Sequence, residues 1–141
     1  KNKDRLLTYI DYRYIIATRY IDNQYMKRKE YIIMAMDKSL ISGSTSMLIL
    51  RLLEEKDMYG YEMIETLEAK SSNVFTLKAG TLYPLLHSLE EKKFLVSYES
   101  EVNGKIRKYY SITKGGKKYL QSKKEEWQEY QTAVLSVLNM A

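Results

Sequence analysis

The chain has no cysteine, one histidine, one proline and one tryptophan in its 141 residues. The missing thiols exclude disulfides, cysteine nucleophiles and sulfur-ligated metals, and they fit a reducing, cytoplasmic setting without demanding one. A single imidazole leaves almost no histidine chemistry. No phosphate loop, metal-ligand cluster or spaced carboxylate pair takes its place, so neither an enzyme nor a bound cofactor or metal is expected. Long apolar runs are also missing. No run, Met47 to Leu50 included, comes near the roughly 20 residues that span a bilayer, so no membrane partner is expected. The start of the chain carries no charged head followed by an apolar core and a small-residue cleavage site. A soluble, cytoplasmic protein is the expectation.

What is present suits one domain of ordinary size: 45% of residues are hydrophobic, enough to bury a core. The net charge of +5 is unevenly placed. From Lys78 to Lys124 there are eleven Lys or Arg against four Glu, whereas Met34 to Leu77 has four against seven acids. A charge run is often only a solvated face. Here the basic half also holds a helix and a hairpin, which points to a polyanion partner.

The stretch from Leu77 to Leu95 organises that half. Leu82, Leu85, Leu86 and Leu89 fall at helical spacing, with Glu90 to Lys93 closing the helix and Phe94 opening an extended run. The opposite face carries Lys78, Thr81, Tyr83, His87 and Ser88, with no acid until Glu90, so it can approach phosphate. Pro84 objects, because it falls inside the helix and removes a bond to the carbonyl of Gly80. It stands near the N-terminal end, where the loss is smallest. Leu95 to Glu101 then alternates as a strand, Asn103-Gly104 is a strong two-residue hairpin signal, and Ile106 to Ile112 alternates again. Lys105, Arg107 and Lys108 stand at the tip and on the return strand.

Upstream, Ser39, Ser42, Ser44 and Thr45 are cap-type residues before a helix expected over Met47 to Glu55. Lys56 to Tyr59 reads as a turn. Gly60 to Lys70 reads as a second helix, with Met63, Ile64 and Leu67 inward and Glu62, Glu65 and Glu68 outward. At its start Tyr59, Gly60 and Tyr61 either present backbone N–H groups to a phosphate or simply pack. Three helices and a basic hairpin make the pattern of a winged helix, mostly α with a small β-hairpin.

Residues 1–33 differ from the rest, with six of the fourteen tyrosines, eight basic against four acidic residues, and no Gly or Pro. A stripe through Leu6, Tyr9, Ile10, Tyr14 and Ala17 is widened around most of the circumference by Tyr12, Ile15, Ile16 and Tyr20, which makes a poor surface helix. Three readings stand: a helix packed on the main domain, a segment for a partner or membrane surface, or sequence translated from upstream of a true start near Met34 or Met36. The expected division is 1–36 as an extension, 37–112 as the winged helix and 113–141 as a final helix.

Three motifs, Tyr59-Gly60-Tyr61-Glu62, Gly80-Thr81-Leu82-Tyr83-Pro84-Leu85-Leu86 with Leu89-Glu90, and Arg107-Lys108-Tyr109-Tyr110-Ser111-Ile112-Thr113 with Gly116, resemble the PadR family of bacterial winged-helix transcriptional regulators. The resemblance covers about residues 38 to 140, and the order and spacing of separate motifs make it specific. It implies a homodimer on an inverted-repeat operator of double-stranded DNA, usually a repressor, often released by a small aromatic or cationic compound. It also implies that Thr81 and Tyr83 face the operator and that Arg107 and Lys108 hold phosphates. One departure is Lys92-Lys93-Phe94, where the family commonly has a Gly in the middle, so the helix cap here needs another solution.

In the final helix Thr113 is the expected cap. Leu120, Trp127, Val134 and Ala141 recur every seven residues, with Tyr130 and Val137 in the second core position, a coiled-coil-like dimer seam. A single short helix after the wing resembles the smaller branch of the family. That resemblance implies that Trp127 faces its twin across the dimer axis, where Trp127 and Tyr130 would hold a planar aromatic or cationic effector, each favourable stack contributing roughly 0.5 to 2 kcal/mol. Glu125, Glu126 and Glu129 favour a cation. The plainer reading is that Trp127 fills the dimer core. Expected DNA contacts are Lys78, Lys105, Arg107 and Lys108 on phosphates, with Thr81, Tyr83, His87 and Ser88 on bases or sugars. The alternative is a winged-helix protein-interaction module that binds no specific DNA.

Overall fold

The structure, a computed structural model, describes residues 22–29 and 38–141, the side chains of 38–42 excepted. The chain divides into two compact units, Lys1–Asp37 and Lys38–Ala141. In the first, residues 22–29 form a helix, α1, with Tyr25 and Met26 exposed. The stripe expected from Leu6 to Tyr20 and the start expected near Met34 or Met36 lie outside the described residues.

The second unit runs α2 (Lys38–Glu55), β1 (Met58–Tyr59), α3 (Gly60–Lys70), α4 (Ala79–Glu91), β2 (Leu95–Val102), β3 (Lys105–Ile112) and α5 (Lys114–Leu138). The three strands form one antiparallel sheet in the order β1-β3-β2. Three helices and a hairpin wing give a mostly helical winged helix-turn-helix, the fold class expected. Its core joins Ile49, Leu50 and Leu53 of α2, Met63 and Leu67 of α3, Leu82, Leu86 and Leu89 of α4, Leu95 and Tyr110 of the sheet, and Leu120 of α5. Each helix contributes residues at three- and four-residue spacings, so one face of each is drawn inward by apolar burial.

Two local expectations change. The first helix begins at Lys38, well before Met47, and so contains the cap-type residues expected to precede it. Ser44 and Thr45 are buried and both have polar partners, so packing overrides their preference for caps. The turn expected over Lys56 to Tyr59 contains β1, which pairs Met58 with Tyr110 and Tyr59 with Tyr109. Two residues are too few to leave a periodic signal.

The other end of α4 answers the question raised by its missing glycine. Lys93 takes the left-handed conformation itself, at φ 62°. The Phe94 N–H donates to the carbonyl of Leu89 and the Lys93 N–H to that of Glu90, each at 2.9 Å, a Schellman closure built on lysine. Pro84 lies within α4, and both it and Gly80 are on the exposed side, where water can take the freed carbonyl. The wing turn is as its dipeptide demands, with Asn103 at φ 53° and Gly104 at φ 76°, a pair of positive values that fits the twist of a two-residue hairpin.

Thr113 caps α5 and ties three elements together. Its hydroxyl accepts from the Gly116 N–H at 3.0 Å and donates to the Lys93 carbonyl at 2.7 Å. Its own N–H donates to the Phe94 carbonyl at 3.0 Å. A Cβ at Gly116 would collide with the Phe94 carbonyl, so only glycine lets α5 start so close to the end of α4. From there Leu120 and Tyr119 pack on the core, and Lys124 reaches Glu54 of α2 at 3.5 Å.

Candidate nucleic-acid interface

Helix α4 turns Leu82, Leu86 and Leu89 into the core and leaves Gly80, Thr81, Tyr83, Pro84 and His87 exposed, with Ser88 half-buried. At about 100° per residue, Gly80, Pro84, His87 and Glu91 form the crest, Thr81 and Ser88 one flank, and Tyr83 the other. Lys78 is the N-cap, its backbone extended, its side chain exposed and free of competing acids in the first turn. His87 is exposed and its Nε2 lies 3.3 Å from the Glu91 carboxylate. The acid-free face therefore closes at Glu91, one turn beyond His87.

The wing places its cations on two faces. In β3 alternate residues point to opposite sides, so Lys105 and Arg107 share one face with Tyr109, and Lys108 shares the other with Tyr110. The Arg107 guanidinium lies 4.3 Å from the centre of the Tyr59 ring, which in turn meets Tyr109 edge-on at 5.7 Å. Tyr109 stacks on Tyr98 at 5.8 Å, and the Tyr98 hydroxyl donates to Asp57 at 2.6 Å. This ladder of rings stiffens the hairpin where it leaves the body. Lys108 lies 5.5 Å from the centre of the Tyr110 ring; burial pushes the Tyr110 phenol up, and the nearby ammonium pulls against it. Its cross-strand neighbour is Glu99, and Glu101 faces Ile106, so acids on β2 partly offset the basic return strand. Sequence reading of β3 alone overstates the charge of the wing.

Segments far apart in the chain converge between these elements. Tyr59, Gly60, Tyr61 and Glu65 from the start of α3, Tyr83 from α4, and Arg107 and Lys108 from β3 line one open cleft of about 400 Å³. Of the expected DNA contacts it brings together Tyr83, Arg107 and Lys108. Thr81 and Ser88 lie on the far flank of α4, Lys78 at its cap and Lys105 at the wing tip, outside this lining. In the sequence Glu65 is an outward acid of α3, and nothing local connects it with residues 107 and 108.

The final helix needs one correction. Leu120 is fully buried in the protein's own core, so it is not part of an exposed dimer seam. A seven-residue repeat does not distinguish packing within a chain from packing between chains. Beyond Lys124 the helix has no apolar cover among the described residues: Trp127 is 41% exposed, Tyr130 59%, Val137 68% and Leu138 73%, with Val134 and Leu135 also open. Trp127 and Tyr130 are neighbours on this face, their ring centres 5.9 Å apart. Glu125 and Glu129 border a shallow surface with Gln128, Thr132 and Ala133. No helix among the described residues is long and apolar enough to cross a membrane.

Comparison with known proteins agrees with the fold and the motifs. Residues 49–122 match the transcriptional regulator PadR-like family. A protein of Lysinibacillus sphaericus is 42% identical over 91 residues, 64% of this chain and 84% of that protein. The Escherichia coli transcriptional regulator YqjI is 31% identical over 84 residues, 60% of this chain but only 39% of that longer protein. Among solved structures, a PadR family transcriptional regulator from Eggerthella lenta superposes with a TM-score of 0.68 at 30% identity, covering 82% of this chain and 99% of that one. A PadR-like regulator from Bacillus cereus gives 0.67 at 27% identity, covering 74% and 100%. With the family match spanning more than half of its length, its helices and wing in place and all three motifs on the winged unit, this chain belongs to the PadR-like family of transcriptional regulators.

Proposed function

We infer that the chain binds an inverted-repeat operator on double-stranded DNA as a homodimer and represses from it, with residues 37–112 as the DNA-binding unit and 113–141 as the dimerisation helix. The observation that carries this reading is the convergence of Arg107 and Lys108 with Tyr83 beside the exposed face of α4. A helix enters the major groove while flanking cations take the backbone on either side. Lys78, Lys105, Arg107 and Lys108 hold phosphates; Thr81, Tyr83, His87 and Ser88 meet bases or sugars. Between Gly80 and Ser88 there is no Arg, Asn or Gln, so α4 supplies register and limited discrimination, and affinity comes largely from charge and from doubling.

The uncovered face at Trp127, Tyr130, Val134 and Val137 supports a second copy as its cover, since an apolar stripe of this kind is a liability on a monomer. Trp127 and Tyr130 are the proposed seat of a planar aromatic or cationic effector that releases the operator; Glu126, four residues before Tyr130, is the acid on their side of the helix, whereas Glu125 and Glu129 stand on the other with Gln128 and Thr132. The test is binding to DNA from upstream of the chain's own gene, followed by fluorescence anisotropy across a salt series against a scrambled duplex. With about three or four phosphates neutralised per subunit, the slope of log affinity on log salt is expected on the order of −5 to −7. Equal binding of both duplexes, or none, together with a captured protein partner would favour the interaction-module alternative. Quenching of Trp127 fluorescence across a panel of planar cations tests the effector, and silence across the panel assigns Trp127 to packing alone.

A further inference from the structure

Tyr83 and Gly60 are fitted to one another. A Cβ built on Gly60 would stand 2.5 Å from the Tyr83 hydroxyl and 2.9 Å from the ring carbon that bears it. Gly60 is itself buried, at the first residue of α3, while Tyr83 is 43% exposed. The Tyr83 side chain thus leaves the flank of α4 sideways, across the start of α3, and not outward from the crest occupied by Gly80, Pro84 and His87. Its hydroxyl has no hydrogen-bond partner among the described residues. It opens on the same cleft as Arg107 and Lys108.

We propose that Tyr83 is a backbone-contacting residue and not a base reader, and that Gly60 is the positioning residue that makes room for it. The inference rests on the DNA-binding reading above and reassigns one residue within it. A phenol wedged beside Gly60 has its single O–H to donate, and the two cations sharing its cleft select an anionic acceptor, a phosphate oxygen of the duplex. Glu65, also on the lining, repels an anion, so the seat lies toward Arg107 and Lys108. Bases are left to the crest and the opposite flank, with His87, Thr81 and Ser88. A contact of this kind fixes where α4 sits on the duplex and carries no sequence information.

The experiment uses the full chain, with operator-bearing upstream DNA and a scrambled duplex of the same length, read by anisotropy at several salt concentrations. Tyr83→Phe removes the hydroxyl and keeps the ring. It is expected to weaken binding to both duplexes by the same factor, about tenfold, the worth of one hydrogen bond to a charged acceptor. The salt slope should stay unchanged, because no charge is lost. Gly60→Ala should push the ring aside and reproduce that uniform loss, with circular dichroism reporting the fold. The double variant should be no weaker than Gly60→Ala alone, since the hydroxyl is already displaced. Loss confined to the operator with Tyr83→Phe overturns the assignment and makes Tyr83 a base reader. Multiplied losses in the double variant overturn the role of Gly60. If Gly60→Ala unfolds the protein, the Tyr83→Phe comparison alone decides the phosphate contact. A wild-type chain that binds neither duplex fails at the earlier step, and both readings fall together.

Discussion

The winged body and the second half of α5 treat apolar side chains in opposite ways. In the body, Leu82, Leu86, Leu53 and Leu120 are shut away from water, and each element is held by residues from at least one other. After Lys124 the same helix exposes Trp127, Tyr130, Val134, Val137 and Leu138. One continuous helix thus begins as a core element and ends as an uncovered surface. The difference teaches that packing within the chain accounts for the apolar residues of the body, whereas those of the tail are left without such packing among the described residues.

The largest expected effect lies in the body. Leu86→Ala removes a side chain with no exposure and leaves a cavity between α4 and its neighbours, at a cost of about 2 to 5 kcal/mol. Urea unfolding followed by circular dichroism measures it; a cost below about 1 kcal/mol would mean the site collapses freely and the body is looser than its packing indicates.

The tail should respond in the reverse sense. Val137→Asp places a charge on the exposed stripe, where it is solvated in a monomer and buried in a dimer. Its expected signature is a change in sedimentation from dimer to monomer, with the secondary structure of the body retained. Operator affinity should fall on the order of a hundredfold, because the second half-site is no longer tethered to the first. An unchanged sedimentation coefficient would remove the tail from the dimer interface.

Smaller effects come from the cap of α5 and from the wing, both within the body. Thr113→Ala deletes the cap of α5 and the bond to the Lys93 carbonyl, at an expected cost of about 1 kcal/mol in thermal or urea unfolding. It should leave dimer contacts alone. Arg107→Ala should lower the steepness of the salt dependence by about one without altering sequence preference, measured by the same anisotropy series. An unaltered slope would take Arg107 off the phosphate backbone and leave it as a partner of the Tyr59 ring alone.

How much of this was legible in the residues depends on how local each cause is. The wing was, because Asn103-Gly104 is one of few dipeptides that place two adjacent residues at positive φ. So was α4, despite Pro84, since its four leucines already define the buried side. Strand β1 was not, being two residues held by pairing with Tyr109 and Tyr110 some fifty positions later. The start of α2 is not legible, because burial of Ser44 and Thr45 is a tertiary fact. Leu120 fits the period of a seam, and packing within the chain satisfies the same period. For the site, the single residues were visible and their grouping was not: the cleft exists only once positions 59–65, 83 and 107–108 have been folded together.

The mildest test concerns the hairpin's attachment to the body, through the hydrogen bond from Tyr98 to Asp57. That bond, the first of its causes, raises the Tyr98 phenol above its ordinary value. A raised phenol favours the protonated form in the folded state, so its stabilisation is full below the ordinary value of about 10 and is lost as pH climbs through the raised one. Lys56 is raised by its bond to Glu62 and loses its contribution in the same direction. Stability of the body should therefore decline on the alkaline side, and Tyr98→Phe should flatten part of that decline while lowering the neutral-pH value slightly. The effect is small because the pair is exposed to solvent and screened by it. Unfolding midpoints collected between about pH 7 and 11 for both proteins distinguish the cases. Parallel curves would mean that the hydroxyl contributes nothing through Asp57, leaving the ring contacts of Tyr59, Tyr109 and Tyr98 and the β1–β3 pairing to hold the wing to the body.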